Sequence, residues 1–269
     1  EIKDKVIRSL EAYCRNVGSK ALEWYYDDEG EPQELDERSW TRLRADILNG
    51  IGGRTHLLGR PDMRTGYEFE YEGNRFDHPN PMLLTHPDTV CTLSFFLPTE
   101  YMEEHGPDRV REIALELASR LPFNSGHAGL CFHLPEALVG MKRAVREECF
   151  RYPGIDMPDS LEIMRLGTKV KGAYWLTFLG QPVLNELGGV SGLRTKLHSP
   201  ETTVQELDGD RAVVTLGEWP EAGDTEKGQT LPAYRELARV LEPWTLQRNS
   251  SWNGFTQEDM RRWERRFLD

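Results

Sequence analysis

The chain lacks the features that would direct it to a membrane or to nucleic acid. No apolar run approaches the roughly 18 residues of a membrane-spanning helix, and no basic segment followed by an apolar one predicts a signal peptide. Basic residues are in the minority, because 33 Lys and Arg stand against 45 Asp and Glu, which gives a net charge of −12. Nonspecific nucleic-acid binding needs a basic face. We therefore expect a soluble, cytoplasmic protein without direct contact to membrane or nucleic acid.

Motifs of metal binding and catalysis are also missing from the sequence. The four cysteines are far apart and form no CxxC pair, so we expect reduced thiols in apolar surroundings. Among the seven histidines, His127 and His133 share a predicted strand at an even offset, but a third ligand is not evident. A GxSxG elbow, a P-loop lysine and a GxGxxG turn are absent. The sequence predicts no catalytic residue, no metal and no cofactor; an enzyme that uses His127 or His133 is the alternative.

Apolar residues are frequent enough for a folded core, at 38% of the 269 residues. Apolar side chains at helical spacing predict helices at 2–16, 37–49, 107–121, 231–241 and 256–267, and a partly helical segment at 182–197 that Gly188 and Gly189 interrupt. Leu138, Met141, Val145 and Cys149 mark one more helix. Alternating or continuous apolar patterns predict strands at 67–71, 90–97, 128–134, 173–179, 203–207 and 211–216. Prolines and asparagines predict a loop at 74–88.

This order of elements predicts an α+β fold with mixed or antiparallel sheets flanked by helices. Residues 90–134 and 173–216 both run strand, helix, strand, so an internal duplication is an open alternative. A linker rich in Pro, Gly or Ser does not separate these stretches. We therefore expect one continuous domain over residues 1–269, with a helical tail at 244–269.

Acidic residues gather in two stretches that also carry aromatic side chains. The first acidic stretch (residues 25–37), interpreted as a turn from 25 to 32, contains Tyr25, Tyr26, Asp27, Asp28, Glu29, Glu31, Glu34, Asp36 and Glu37. The second acidic stretch (residues 218–226) contains Glu218, Trp219, Glu221, Asp224 and Glu226. A solvated face is the simplest interpretation, and Trp219 also fits a core position at a strand end. Aromatic side chains beside steering charges are typical of protein interfaces, so both stretches are predicted to bind a protein partner.

Several Gly-rich and aromatic segments resemble a bacterial type VI immunity family that was long catalogued as a domain of unknown function. The similar segments are 123–130 (FNSGHAGL), 167–179 (GTKVKGAYWLTFL), 188–194 (GGVSGLR), 217–224 (GEWPEAGD) and 231–235 (LPAYR). Their order and spacing resemble the family over residues 90–243. The N-terminal third is less distinctive, and the tail after Trp244 is the least.

The resemblance implies that the chain is an immunity protein without catalytic residues. Members of such a family bind and neutralise a cognate antibacterial toxin delivered by the type VI secretion apparatus. Such toxins include nucleases of the restriction-endonuclease-like superfamily, whose active or DNA-binding site the partner would block. A basic nuclease cleft suits an acidic partner. An adaptor or chaperone that loads the toxin is a further alternative.

Overall fold

The computed structural model describes residues 2–49, 53–61, 66–74, 88–134, 140–159, 163–247 and 251–269. The chain divides into two compact units. Unit 1 consists of Glu1–Pro122 and Ser160–Gly167, and unit 2 consists of Phe123–Asp159 and Thr168–Asp269. That the whole chain is one continuous domain stays a prediction.

Unit 1 contains a five-stranded antiparallel sheet. Its strands are β1 (Trp24–Tyr26), β2 (Pro32–Glu34), β3 (Gly53–Leu58), β4 (Glu68–Gly73) and β5 (Thr92–Phe96). They lie in the order β2-β1-β3-β4-β5. The register pairs Leu57 with Phe69, and Phe69 with Phe95. Because successive side chains of a strand alternate between the faces, these three residues form one apolar face of the sheet.

Helices α1 (Ile2–Val17), α2 (Glu37–Asn49) and α3 (Thr99–Ser119) contribute to the core of the described part of unit 1. The buried stripe of α1 includes Leu10 and Tyr13, and the Tyr13 ring lies 5.2 Å from that of Phe95. Full burial of one large apolar side chain contributes about 1.5–3 kcal/mol, so the contacts between α1 and this face stabilise the unit. Helix α3 is kinked at Gly106, where φ is 80°, and Pro107 follows at the start of its second segment.

Unit 2 is built on a four-stranded antiparallel sheet in the order β6-β7-β9-β8. Its strands are β6 (Ser125–Ala128), β7 (Leu176–Leu179), β8 (Thr202–Asp208) and β9 (Arg211–Leu216). The two central strands, β7 and β9, are almost completely buried. Strands buried on both faces have continuous apolar sequences, which explains the run of apolar residues in each.

The described residues of unit 2 include six short helices. They are α4 (Met141–Ala144), α5 (Arg146–Arg151), α6 (Val183–Glu186), α7 (Gly189–Arg194), α8 (Pro232–Leu241) and α9 (Gln257–Glu264). Thr256 and Asp259 form a capping box at the start of α9. The Asp259 carboxylate also accepts hydrogen bonds from Arg146, which ties α9 to the start of α5. A second core, which includes Trp252 and Trp263, lies beneath these helices.

The α+β class predicted from the sequence is confirmed, but three details were wrong. The strand predicted at 128–134 lies earlier, at β6, and Cys131 forms only an isolated bridge with Asp156. His127 and His133 therefore do not share a strand. The turn predicted at 25–32 includes part of a hairpin formed by β1 and β2.

The sequence also predicted a strand-helix-strand unit at 90–134, and this prediction is wrong. Strand β5 belongs to the five-stranded sheet and β6 to the four-stranded sheet, so these two strands do not flank a helix within one sheet. Leu138 and residues 75–87 of the predicted loop lie outside the described residues. Of the helices that the structure describes, none has both the length and the apolar character needed to cross a membrane.

Candidate functional site

The first acidic stretch forms the tip of the β1–β2 hairpin and continues into α2. Asp27 organises the tip, because its Oδ1 accepts hydrogen bonds from the backbone N–H groups of Glu29 (3.1 Å) and Glu31 (2.9 Å). Its Oδ2 accepts one from the amide of Gln33 at 2.8 Å. The hydrogen bond from the Glu31 N–H is the largest contribution that lowers the pKa of Asp27. Gly30 closes the turn at φ 82°, in the left-handed region that favours glycine.

Most other carboxylates of the first acidic stretch are exposed, namely Asp28, Glu29, Glu31, Glu34 and Glu37. Asp36 is also exposed, but its side chain caps α2 by accepting hydrogen bonds from the N–H and hydroxyl of Ser39. These bonds lower the pKa of Asp36. The hairpin therefore presents several carboxylates to solvent on a turn that is held by its own hydrogen bonds.

The two tyrosines of the first acidic stretch face the body of unit 1. Tyr25 is only 6% exposed, and its hydroxyl accepts a hydrogen bond from Arg42 at 2.9 Å. Tyr26 is half-buried, with its ring 5.0 Å from the imidazole of His56. Their positions give both residues a structural role at the base of the hairpin.

The second acidic stretch is held closely against the rest of unit 2. The buried Asp224 carboxylate accepts two hydrogen bonds from the Arg151 guanidinium, at 3.1 and 3.0 Å. This pairing lowers the pKa of Asp224 to about 2. Gly154 donates a backbone hydrogen bond to the Ala222 carbonyl, and a Cβ at Gly154 would lie 1.9 Å from the Glu221 carbonyl oxygen. Only glycine permits so close an approach of two backbones.

The remaining members of the second acidic stretch are exposed. Glu226 forms an ion pair with Arg151 at 3.0 Å, while Glu218 and Glu221 lie at the surface. The Trp219 side chain is 47% exposed, so the alternative of a core tryptophan is wrong. This stretch belongs to unit 2 and the first acidic stretch to unit 1. Whether either contacts a toxin stays a prediction.

A polar cluster occupies the sheet of unit 1, on the face opposite Leu57 and Phe69. His56 on β3 lies opposite Glu70 on β4, and its Nε2 contacts the Glu68 carboxylate. Arg54 donates a hydrogen bond to Glu70 at 2.7 Å. Burial is the main reason that the pKa of Glu70 is raised. Imidazole and carboxylate groups of this kind are the residue types that bind divalent metal ions.

Unit 2 contains a second buried charged cluster, centred on Asp156. Lys171 donates a hydrogen bond to its Oδ2 at 2.6 Å, and the Tyr174 hydroxyl donates one to Oδ1 at 3.0 Å. The His127 ring stacks on Tyr174, with ring centroids 4.0 Å apart. Burial alone would raise the pKa of Asp156, but the charge of Lys171 and the contact from His127 hold it well below its usual range. The cluster is paired internally, as a structural ion pair requires.

Sequence reasoning missed the cluster of His56, Glu68 and Glu70. The alternating segment 67–71 was correctly predicted as a strand, and it placed Glu68 and Glu70 on one face. The alternation did not indicate that this face is covered, whereas Glu68 is 3% exposed. The strand that carries His56 was not predicted, because Gly53–Leu58 has only a short apolar pattern. The even spacing of the two glutamates was the available signal.

Comparison with known proteins agrees with the resemblance seen in the sequence. The family model described as "Type VI immunity for VRR-NUC" (TsiV) matches residues 5–267. Among solved structures, the Pseudomonas aeruginosa T6SS protein PA0821 is similar with a TM-score of 0.79 and 18% sequence identity. The match covers 99% of this chain and 77% of that chain, and at this identity it shows the fold alone. The curated proteins contain no significant match. Since the family model spans both units, the chain belongs to the TsiV family of type VI immunity proteins for VRR-NUC.

Proposed function

We propose that this chain binds a VRR-NUC nuclease toxin in the cytoplasm and neutralises it by covering its active or DNA-binding cleft. The observation that carries the proposal is the hairpin of the first acidic stretch. It presents Asp28, Glu29, Glu31 and Glu34 to solvent on a turn fixed by Asp27. Membership of the family supports the choice of a nuclease as the partner.

The electrostatics of DNA cleavage support this mode of inhibition. A cleft that binds the DNA backbone is lined by basic side chains, and carboxylates on a partner compete for the same surface. Opposite charges also raise the association rate, from about 10⁵–10⁶ M⁻¹s⁻¹ for unsteered partners to as much as about 10⁸–10⁹ M⁻¹s⁻¹. The net charge of −12 adds to this attraction.

The order already present in the hairpin tip would favour tight binding. Ordering a flexible loop on association costs about 0.5–1.5 kcal/mol for each immobilised side chain. Here the backbone of the tip is held by Asp27 and Gly30 before any partner arrives. Inhibition by occupancy needs no catalytic group in this chain, so the proposal includes a non-enzymatic, stoichiometric mechanism.

A rate measurement tests the role of the hairpin. The variant Asp28→Asn/Glu29→Gln/Glu31→Gln removes three exposed charges but leaves the backbone donors to Asp27 in place. We expect its association rate with a catalytically inactive nuclease to fall by about tenfold or more at low salt. The matched control, Glu100→Gln/Glu103→Gln/Glu104→Gln, removes three exposed charges from α3. An equal loss in both variants, or none in the first, would exclude the hairpin as the docking surface.

A titration of DNA cleavage separates inhibition from the alternatives. Adding the chain to the active nuclease should lower the rate of DNA cleavage in proportion to the amount of chain added. Cleavage should stop when the two proteins are present in equal molar amounts. An adaptor would leave the nuclease active in the complex. An enzyme that inactivates the toxin would do so when present at a small fraction of the molar amount of toxin, and the inactivated fraction of toxin would increase with time.

A further inference from the structure

Three potential metal ligands converge on the polar face of the unit 1 sheet. His56 lies directly opposite Glu70, and Glu68 is two residues away on the same strand and the same face. The distance from His56 Nε2 to a Glu70 carboxylate oxygen is 3.6 Å, and the same Nε2 contacts Glu68. One ligand atom from each of the three lies within 4.8 Å of the others. The antiparallel register thus brings one imidazole nitrogen and two carboxylates together.

The distance between His56 Nε2 and the Glu70 carboxylate suits a small divalent cation bound to nitrogen and oxygen. Zinc binds histidine nitrogen and carboxylate oxygen at about 2.0–2.2 Å. Neighbouring ligand atoms in a tetrahedral site of that size are about 3.3 Å apart, which is close to the distance between His56 and Glu70. The side chains of His56, Glu68 and Glu70 are 14%, 4% and 11% exposed. They would therefore shield a bound ion from most of the surrounding water.

We propose that His56, Glu68 and Glu70 form a binding site for a divalent transition metal of the zinc class. The single imidazole favours zinc or a similar ion over magnesium and calcium, which prefer oxygen ligands. Three protein ligands leave a fourth position for water. The family description assigns no metal to this chain, and the inhibition proposed above does not require one.

The surroundings of the cluster provide the outer contacts that metal ligands need. Arg54 donates a hydrogen bond to Glu70 at 2.7 Å and forms an ion pair with Glu72 at 3.1 Å. Hydrogen bonds to a ligating carboxylate fix its orientation. The Tyr26 ring packs against the imidazole of His56 and restricts its rotation. Through Tyr26, the site also contacts the base of the hairpin.

The competing interpretation is that His56 contacts the two carboxylates directly, as a polar cluster that holds no metal ion. Such a cluster would use the same geometry, and it would bind no zinc. Metal binding by the full chain therefore distinguishes the two interpretations directly.

The test is a zinc titration of the full chain after its treatment with a chelator and removal of that chelator. We expect one zinc ion per folded chain and a higher unfolding temperature with zinc, because an ion that binds only the native state stabilises it. Cobalt in the same site should give the strong visible absorption of a four-coordinate ion. Magnesium and calcium should raise the unfolding temperature much less. Failure of the folded wild-type chain to take up zinc overturns the proposal without any variant.

Two substitutions then assign the ligands. Glu68→Gln and His56→Gln should each weaken zinc binding by at least about tenfold, with secondary structure retained. His105→Gln is the matched control, because His105 lies on α3 of the same unit and packs on Tyr101. The control should bind zinc as the wild type does. Unchanged binding in both ligand variants would place the ion elsewhere and overturn the proposal.

Discussion

The two acidic stretches have similar compositions but differ in how their carboxylates are held within their units. In the first acidic stretch, Asp27 and Asp36 support the backbone while the carboxylates between and beside them face solvent. In the second acidic stretch, Asp224 turns inward to Arg151, and Gly154 holds the neighbouring backbone. Charge density along the sequence therefore does not reveal which carboxylates are available to a partner.

The carboxylates of the two units differ in whether a Lys or Arg side chain lies close enough to pair with them. In unit 2, Arg151 and Lys171 reach buried carboxylates and neutralise them within the fold. In the first acidic stretch no Lys or Arg occurs between Tyr25 and Glu37. Exposed charges in water interact over about 8 Å at physiological ionic strength. The hairpin can therefore attract a basic partner, whereas the charges of Asp224 and Asp156 are largely neutralised.

The largest effect is expected at Asp156, the most buried of the inward-facing carboxylates that we compare. Asp156→Ala leaves the Lys171 ammonium buried without its partner, so the free energy of unfolding should fall by about 3–5 kcal/mol. Urea unfolding measures this loss. Combining Asp156→Ala with Lys171→Met removes both charges and should recover part of it. A loss below about 1 kcal/mol in the single variant would contradict the structural role of the pair.

A smaller effect with a defined pH dependence is expected at Asp224. Its pKa is about 2 in the folded chain, against about 3.9 in an unfolded one. A depressed pKa contributes stability above the unfolded value, and that contribution is lost as the pH falls toward the folded value. Asp224→Asn should therefore lower the unfolding temperature at pH 5–7. The difference from wild type should shrink between about pH 4 and pH 2. A difference that is constant with pH would show that Asp224 acts through packing alone.

The smallest effect on stability is expected at Trp219, which is the exposed aromatic residue of the second acidic stretch. Trp219→Ala should change the free energy of unfolding by no more than about 0.5 kcal/mol. If the second acidic stretch contacts the nuclease, affinity should fall by about tenfold, or 1.4 kcal/mol. Leu48→Ala, at an exposed position of α2, is the control. Unchanged affinity for Trp219→Ala would restrict the proposed interface to the first acidic stretch.

The sequence correctly predicted the helices and strands whose own pattern of apolar and polar residues matches the burial of those residues in the fold. Helix α2 was predicted with its observed bounds, because Leu43 and Ile47 form a clear inner stripe. The strands at 203–207 and 211–216 were also predicted, and they form the β8–β9 hairpin, in which Asp208 pairs with Arg211 across the turn. In both cases neighbouring residues contain all the information that fixes the element.

The errors lie where distant parts of the chain decide the structure. Residues 130–132 have a strand-like pattern, but they form backbone hydrogen bonds with Asp156 and only an isolated bridge. The first half of α3 was missed because Pro107 is a typical helix start, and it does follow the kink at Gly106. The burial of Glu68 could not be inferred from an alternating strand, because alternation does not show what lies over the polar face.

The placement of the hairpin tip has a consequence for how this protein can evolve. Strand β2 lies at the edge of its sheet, all three of its residues are exposed, and Asp27 and Gly30 organise the turn between the strands. Substitutions at the other tip positions are nearly neutral for folding. The charge and shape of this surface can therefore change while the core stays as it is. On the proposed interface, recognition and folding would rest on separate residues, so that single substitutions at the tip could alter toxin specificity without loss of the fold.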